Sequence, residues 1–428
     1  MSSFKENTLI TDKHAMLCLD VQIDESKQVE LDHLKAHFCG NVFENATELS
    51  KYIEITTKEK RPIMLYILGN VNNALKQLND LTNVIVNVVE ELSTDLDEGK
   101  FNLVSIGEVP INVHNAGIYF RKLFNTDKEY YETITGEHEF QSLTESNKTG
   151  TAYRKGIYLT DITKDQSNDE LKFKLLRCSS NFDGPTDNTR ETDKEVMSKV
   201  NLMSSLYFSE RTDLNHVLAQ TYHNQFIKTN DGHKQRKAKI SEHSDKTKDM
   251  PKNGLIAFCT FYKEYSNGSF VGDKLKKLKP SAIDQYDYTY GNNVSALTKL
   301  RFRLKKEVTD ESYTKKFDVT LYPNSVFIIS LVTNRLYTHE IIPSALSIDR
   351  IPTRMGYVIR CSNTNAVFTK DRTFICRGPS RIELEKPTHE GIKRLKKLYY
   401  KENVTTEIVH YDGFNFSLNE GDYTSPIH

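Results

Sequence analysis

The chain has 428 residues, with 58 Lys plus Arg against 58 Asp plus Glu, 37% hydrophobic and 10% aromatic residues. That length and composition suit two to three globular domains and argue against a disordered or fibrous chain. A formal net charge of zero excludes any global attraction to nucleic acid or to an anionic membrane. The cysteines, Cys18, Cys39, Cys178, Cys259, Cys361 and Cys376, form no C-x-x-C pair, which speaks against a zinc ribbon or a disulfide scaffold and for reduced thiols. With no signal peptide and no apolar run of about 18 residues, the chain reads as soluble, non-membrane, and cytoplasmic or nuclear. Its six N-x-S/T triplets, Asn45 and Asn403 among them, then carry no meaning as glycosylation sites.

In chain order, residues 1–115 alternate strand and helix patterns, the signature of an α/β domain. Strands are expected over 16–21, 63–68 and 84–89, and helices over 47–53 and 73–78. Gly69 stands alone with no G-x-G-x-x-G after a strand, so an interaction or structural role fits this domain better than nucleotide binding. Residues 116–214 read as a mixed α/β segment supporting the core, with strands over 118–120, 156–159 and 173–176. The polar, turn-rich 177–187 that follows reads as a surface loop or, beside the core, a substrate lid. From 215 to 380 β-branched and aromatic runs predict successive strands over 254–262, 318–321, 325–332 and 355–359. Residues 381–428 read as a C-terminal helical extension. The basic stretches 274–279 and 393–398 read as solvated faces.

The chemistry is concentrated in the 215–380 segment. On a strand, residues i and i+2 share a face, so His243-Ser244-Asp245 can aim an imidazole and a carboxylate at one point. One such triplet is worth little in a chain with 13 histidines. The second triplet, His410-Tyr411-Asp412, is an internal control: no Arg lies beyond it, and the later histidine is His428. The first is followed by His339 and then by Arg354 and Arg360, whose even spacing puts both guanidinium groups on one face of a strand. Paired planar forks suit a dicarboxylate. Two imidazoles and a carboxylate suit a mononuclear Fe(II) centre that keeps positions open for a co-substrate and O2. The same set suits catalytic zinc, which leaves the arginines without a role, and a cupin-like metal-binding module without turnover is a third reading. His223 and His233 lack partners at strand spacing and read as surface or core residues.

The stretch from about 219 to 362 resembles the catalytic core of the AlkB-like Fe(II)/2-oxoglutarate dioxygenases. Arg335-Leu336-Tyr337-Thr338-His339 resembles that family's distal histidine with its arginine four residues earlier. Arg354-Met355-Gly356-Tyr357-Val358-Ile359-Arg360 resembles its R-x-N-x-T-x-R strand, with Gly356 and Val358 in place of Asn and Thr. Gln220-Thr221-Tyr222 falls at its N-x-Y segment, with Gln220 in place of Asn, and long insertions separate Tyr222 from His243 and Asp245 from His339. The resemblance implies an α+β architecture: a double-stranded β-helix (jelly-roll) oxygenase core with the N-terminal α/β domain appended. It implies Fe(II) held by His243, Asp245 and His339, with 2-oxoglutarate as co-substrate. Arg354 would take the distal carboxylate, Arg360 would lie near the iron-bound end or orient Asp245, and Gln220 and Tyr222 would complete the pocket. O2 would be consumed with release of succinate and CO2 as a substrate C–H bond is hydroxylated. The substrate stays open between a small molecule or protein side chain and, alternatively, a nucleic-acid base, for which Lys234, Arg236, Lys237 and Lys239 would supply phosphate contacts. Oligomeric state is not legible.

Overall fold

The computed structural model describes residues 9–23, 25–56, 61–78, 81–96, 101–124, 127–144, 151–178, 182–229, 232–263, 295–348, 351 and 353–428. The first unit runs β1 (His14–Leu19), α1 (Glu25–His37), β2 (Asn41–Phe43), α2 (Ala46–Thr56), β3 (Ile63–Asn70), α3 (Val71–Gln77), β4 (Val84–Thr94) and β5 (Asn102–Val104). Its sheet is parallel throughout, in the order β2-β1-β3-β4-β5. The apolar runs of β1 and β3 are buried on both faces, as parallel strands covered by helices must be. One face, Ala15, Leu17, Leu65 and Ile67, packs with Leu49 and Ile53 of α2 and Ala74 of α3. The other, Met16, Cys18, Met64 and Tyr66, packs with Leu31 and Leu34 of α1 and shares one core with Ile256, Phe302 and Phe327 of the rest of the chain. β1 stops at Leu19 rather than at 21 because Asp20 takes φ 54°, a left-handed conformation that ends a strand and that Asp tolerates better than most residues. α1, β2 and β5 were not expected from the sequence.

The remainder begins with β6 (Ile111–Val113), β7 (Gly117–Phe120), α4 (Tyr130–Glu137), β8 (Gln141–Thr144), β9 (Thr151–Thr160), β10 (Thr163–Asp165), β11 (Glu170–Leu175), β12 (Asp187–Asn188) and α5 (Glu191–Tyr207). It continues with β13 (His216–Tyr222), the hairpin β14 (Gln225–Thr229) and β15 (Gly232–Arg236), then β16 (Leu255–Tyr262), β17 (Lys299–Leu304), β18 (Lys316–Thr320) and β19 (Ser325–Ser330). The chain closes with α6 (Leu331–Leu336), β20 (Tyr337–Ile342), β21 (Arg354–Arg360), β22 (Thr364–Thr369), β23 (Arg372–Arg377), β24 (Ser380–Glu383) and α7 (His389–Val404).

Three sheets matter to the site. A nine-stranded sheet runs β12-β9-β13-β21-β16-β19-β7-β6, with β8 paired to β9, and a three-stranded sheet runs β18-β17-β20. From β13 onward the chain alternates between them. β13, β16, β19 and β21 lie in the large sheet, β17, β18 and β20 in the small one, and residue 243 joins the small sheet's edge by an isolated bridge to His339. A third, five-stranded sheet runs β10-β11-β22-β23-β24. Sheet pairing runs across residue 214, through β9 with β13, and β24 runs across residue 380.

The expected strand over 325–332 ends at Ser330. The Ser330 side chain accepts from the Thr333 N–H at 3.3 Å and caps α6, so Leu331 and Val332 turn into a short helix. His339 therefore does not trail that strand but sits within its own, β20. The C-terminal extension is helical over His389–Val404 alone, apart from a single 3-10 turn at Glu420–Tyr423. Among the described residues no helix is long and apolar enough to cross a membrane.

Candidate metal centre

His243 and His339 are drawn together by one antiparallel bridge. The His243 N–H donates to the His339 carbonyl at 3.0 Å and the His339 N–H to the His243 carbonyl at 2.7 Å. Residues paired in this way project side chains to the same side, and the two rings lie 4.5 Å apart. The expectation that a regular strand would aim His243 and Asp245 is corrected here. Beyond residue 243 there is no ladder, and Asp245 is fixed by Asn334, whose Oδ1 accepts from its N–H at 2.9 Å and whose Nδ2 donates to its carbonyl at 3.0 Å.

The Asp245 carboxylate is divided between two tasks. Oδ2 accepts from Arg360 Nε at 3.0 Å and Nη2 at 2.8 Å. Oδ1 faces His243 Nε2 at 3.7 Å and His339 Nε2 at 4.0 Å, and one ligand atom from each of the three residues lies within 4.8 Å of the others. His243 Nδ1 sits 2.8 Å from the Ser241 carbonyl. That contact places the proton on Nδ1 and turns the Nε2 lone pair inward.

Burial lowers the pKa of both imidazoles, that of His339 to about 3, so both rings are neutral at pH 7 and chemically able to ligate a cation. Burial alone would raise the Asp245 carboxyl, but the Arg360 guanidinium outweighs it and holds the group well below the usual carboxylate range. Phe258 and Phe302 flank the His339 ring at 5.3 and 5.6 Å and give it an apolar wall. The donor set fits a divalent cation of borderline softness. Metal–ligand bonds of about 2.1 Å would put cis donors roughly 3 Å apart, within a modest contraction of the observed spacings.

The arginine strand behaves as its spacing predicts. Arg354, Gly356, Val358 and Arg360 share the face opposite Met355, Tyr357 and Ile359, which lie in a second core. Across β13, Tyr222 pairs with Arg354 and Gln220 with Gly356, so all four expected co-substrate residues stand on one surface. The Arg354 guanidinium lies 4.0 Å from the Tyr222 ring centroid, and the Tyr222 hydroxyl donates to Gln220 Oε1 at 3.1 Å. Arg354 Nη2 is buried and without a partner among the described residues. A Cβ on Gly356 would sit 3.1 Å from Arg354 Nη1 and 3.2 Å from Tyr222 Cε2, so the absent side chain leaves room for this stack. Asn224, Lys237, Ser344 and Ile351 line the cleft beside Arg354.

Lys237 was grouped with the basic stretch. Its Nζ instead donates to the carbonyls of Ser344 and Leu346, each at 2.6 Å. Arg236 lies over the Tyr153 ring at 4.3 Å, and Lys234 and Lys239 are exposed. Arg350, residues 274–279 and the tip of the 177–187 segment lie outside the described residues, as does the His233 side chain. The ends of 177–187 are not a mobile flap: Arg177 pairs with Asp249 at 2.6 Å in the interior and Phe182 is 1% exposed. His410 and Asp412 join no metal-ligand group among the described residues, and His223 bonds Thr221 Oγ1 at 3.0 Å.

One cluster was missed at the sequence level. His138 bonds Asp187 Oδ2 through Nδ1 at 2.7 Å and Asp193 Oδ2 through Nε2 at 2.8 Å, and the Tyr357 hydroxyl donates to Asp193 Oδ1 at 2.7 Å. Burial alone would lower the imidazolium's pKa, but the two carboxylates raise it to about 9. With both ring nitrogens protonated, His138 has no lone pair for a metal, although Glu137, His138 and Asp193 have the spacing of one. No sequence signal links positions 138, 187, 193 and 357.

Fold and site together define a mixed α/β chain with a two-histidine, one-carboxylate cluster, in which Asp245 and His339 are buried and His243 is partly exposed, beside an arginine-bearing strand. No family model matches the sequence, and no curated protein sequence does. Among solved structures, the chain is similar to OsALKBH1, at 11% identity over 57% of this chain and 96% of that one with a TM-score of 0.32. It is also similar to a Pseudomonas putida prolyl-4-hydroxylase, at 10% identity over 56% and 90% with a TM-score of 0.27. At such scores the likeness is descriptive, and the centre is read from its own residues.

Proposed function

We propose that this protein is an Fe(II)- and 2-oxoglutarate-dependent dioxygenase that hydroxylates a C–H bond of a small molecule or protein side chain. The observation that carries the reading is the conjunction of two features, the converging donors at the edge of the small sheet and the arginine face of β21 in the large one. His243 Nε2, Asp245 Oδ1 and His339 Nε2 converge while Arg360 holds the other Asp245 oxygen, and a buried Arg354, whose Nη2 has no hydrogen-bond partner among the described residues, stands six residues along the same strand. A zinc hydrolase has no use for that second arginine. The alternation of the chain between the nine- and three-stranded sheets supports a double-stranded β-helix for the core.

Iron and 2-oxoglutarate, when bound, supply the oxidation, in which O2 is consumed, succinate and CO2 leave, and the substrate carbon gains a hydroxyl. The protein's part is geometric and electrostatic. Arg354 offers a bidentate fork to the distal carboxylate, and Tyr222 stacks on it while holding Gln220. Arg360 keeps Asp245 ionised and aimed, and the apolar wall of Phe258 and Phe302 shields the His339 ring from water. Anaerobic titration with Fe(II) and then 2-oxoglutarate should develop a metal-to-ligand charge-transfer band, followed by succinate release on admitting air. Absence of both the band and succinate would remove the reading. Stimulation of succinate formation by methylated oligonucleotides would move the substrate to nucleic acid.

A further inference from the structure

The segment that carries Asp245 has no ladder to hold it. Between the bridge at residue 243 and β16, its backbone groups must find partners elsewhere, and side chains of α6 and α7 take the N–H groups of Ser244, Asp245 and Thr247. Asp245 is bracketed by Asn334 of α6. The Thr247 N–H donates to Glu402 Oε1 at 3.1 Å, and the Thr247 hydroxyl donates to the same oxygen. A single atom, Asn403 Oδ1, grips both sides of the carboxylate residue: it accepts from the Ser244 N–H at 2.9 Å and from Lys246 Nζ at 2.8 Å. Lys246 Nζ is itself anchored to the Tyr399 carbonyl of α7 at 3.1 Å. Two donors converging on one oxygen also set which way the Asn403 amide faces.

We propose that Asn403 is a positioning residue for the metal centre, fixing Asp245 from its two neighbours, so that the C-terminal helix is a working part of the metal-binding core. The proposal rests on the reading of His243, Asp245 and His339 as metal ligands. Asn403 also begins one of the N-x-S/T triplets, and its Oδ1 contacts give it a structural use instead.

The test is titration of the full-length protein with Co(II) alone, followed by the visible absorption of the bound ion. Asn403→Leu removes the acceptor and should weaken Co(II) binding by about 10–100-fold, the usual consequence of losing a residue that orients a ligand. Asn403→Asp keeps an oxygen in place for both donors and should bind close to wild type, a rescue that a merely space-filling role would not produce. His339→Ala separates the two levels of inference. If it abolishes Co(II) binding while Asn403→Leu leaves the affinity unchanged, the positioning role is overturned and the metal site stands. If His339→Ala binds Co(II) as wild type does, the metal site falls and the positioning role with it. Asn403→Asp as weak as Asn403→Leu also overturns the proposal, since the loss would then come from packing. Should Asn403→Leu fail to fold, Asn403→Ala, which also lacks the acceptor, is read by the same criteria.

Discussion

Replacing Arg360 by Met tests the electrostatic design of the centre. In the wild type, Asp245 Oδ2 accepts two guanidinium hydrogen bonds at 3.0 and 2.8 Å, between side chains only 6% and 8% exposed, so solvent screening discounts little of the interaction. Met fills much of the same volume but leaves an ionised carboxylate in the interior without its cation. Removing one partner of a buried pair typically costs about 3–5 kcal/mol. At roughly 2–4 °C per kcal/mol for a mid-sized domain, the midpoint should fall on the order of 10 °C if the core melts as one unit. Bound metal would supply positive charge at Oδ1, so the deficit should narrow at saturating Co(II). Thermal and urea unfolding of both proteins, metal-free and with Co(II), reads both effects. A metal-free Arg360→Met protein as stable as wild type would refute the argument that Arg360 neutralises Asp245. A deficit that is identical with and without Co(II) would refute the placement of the cation at Oδ1.

Three further outcomes are expected. Arg354→Lys keeps the charge but loses the fork, and should raise the KM for 2-oxoglutarate by the equivalent of roughly 1.5–3 kcal/mol while leaving Co(II) affinity unchanged; an unchanged KM in succinate assays would move the distal carboxylate elsewhere. Gly356→Ala puts a methyl 3.1 Å from Arg354 Nη1 and 3.2 Å from Tyr222 Cε2, so it should displace the stack and raise the same KM, whereas a crystal structure with Arg354 unmoved would contradict this. His138 has a folded-state pKa raised from 6.5 to about 9. Its contribution is therefore complete below pH 6.5 and lost as pH rises through 9, an upper bound of about 3 kcal/mol. Urea unfolding at pH 6.5 and 9.5 should show that loss in wild type and little of it in His138→Gln, and equal slopes in the two proteins would show the cluster to be inert.

Local pattern determined a good part of this protein. β1, β3, β16, β19 and β21 were legible because strands buried on both faces must be continuous apolar runs, and the common face of Arg354 and Arg360 followed from a period of two. Gln220 and Tyr222 reached that face because β13 pairs with β21 in register, a fact the residue pattern alone does not contain. Tertiary structure alone decided how the proposed metal ligands meet. His243 approaches His339 through a single bridge across 96 residues, β20 follows a short helix capped by Ser330, and Asp245 is held by Asn334 and Arg360 while its neighbour Ser244 is held by Asn403, from three separate elements. The His138 cluster likewise gathers residues from α5, β12 and β21 around a position just beyond α4. Periodicity reports which side of an element faces the core. It carries no record of which distant side chain will satisfy a backbone group that has left its ladder, because that partner is chosen only when the elements pack.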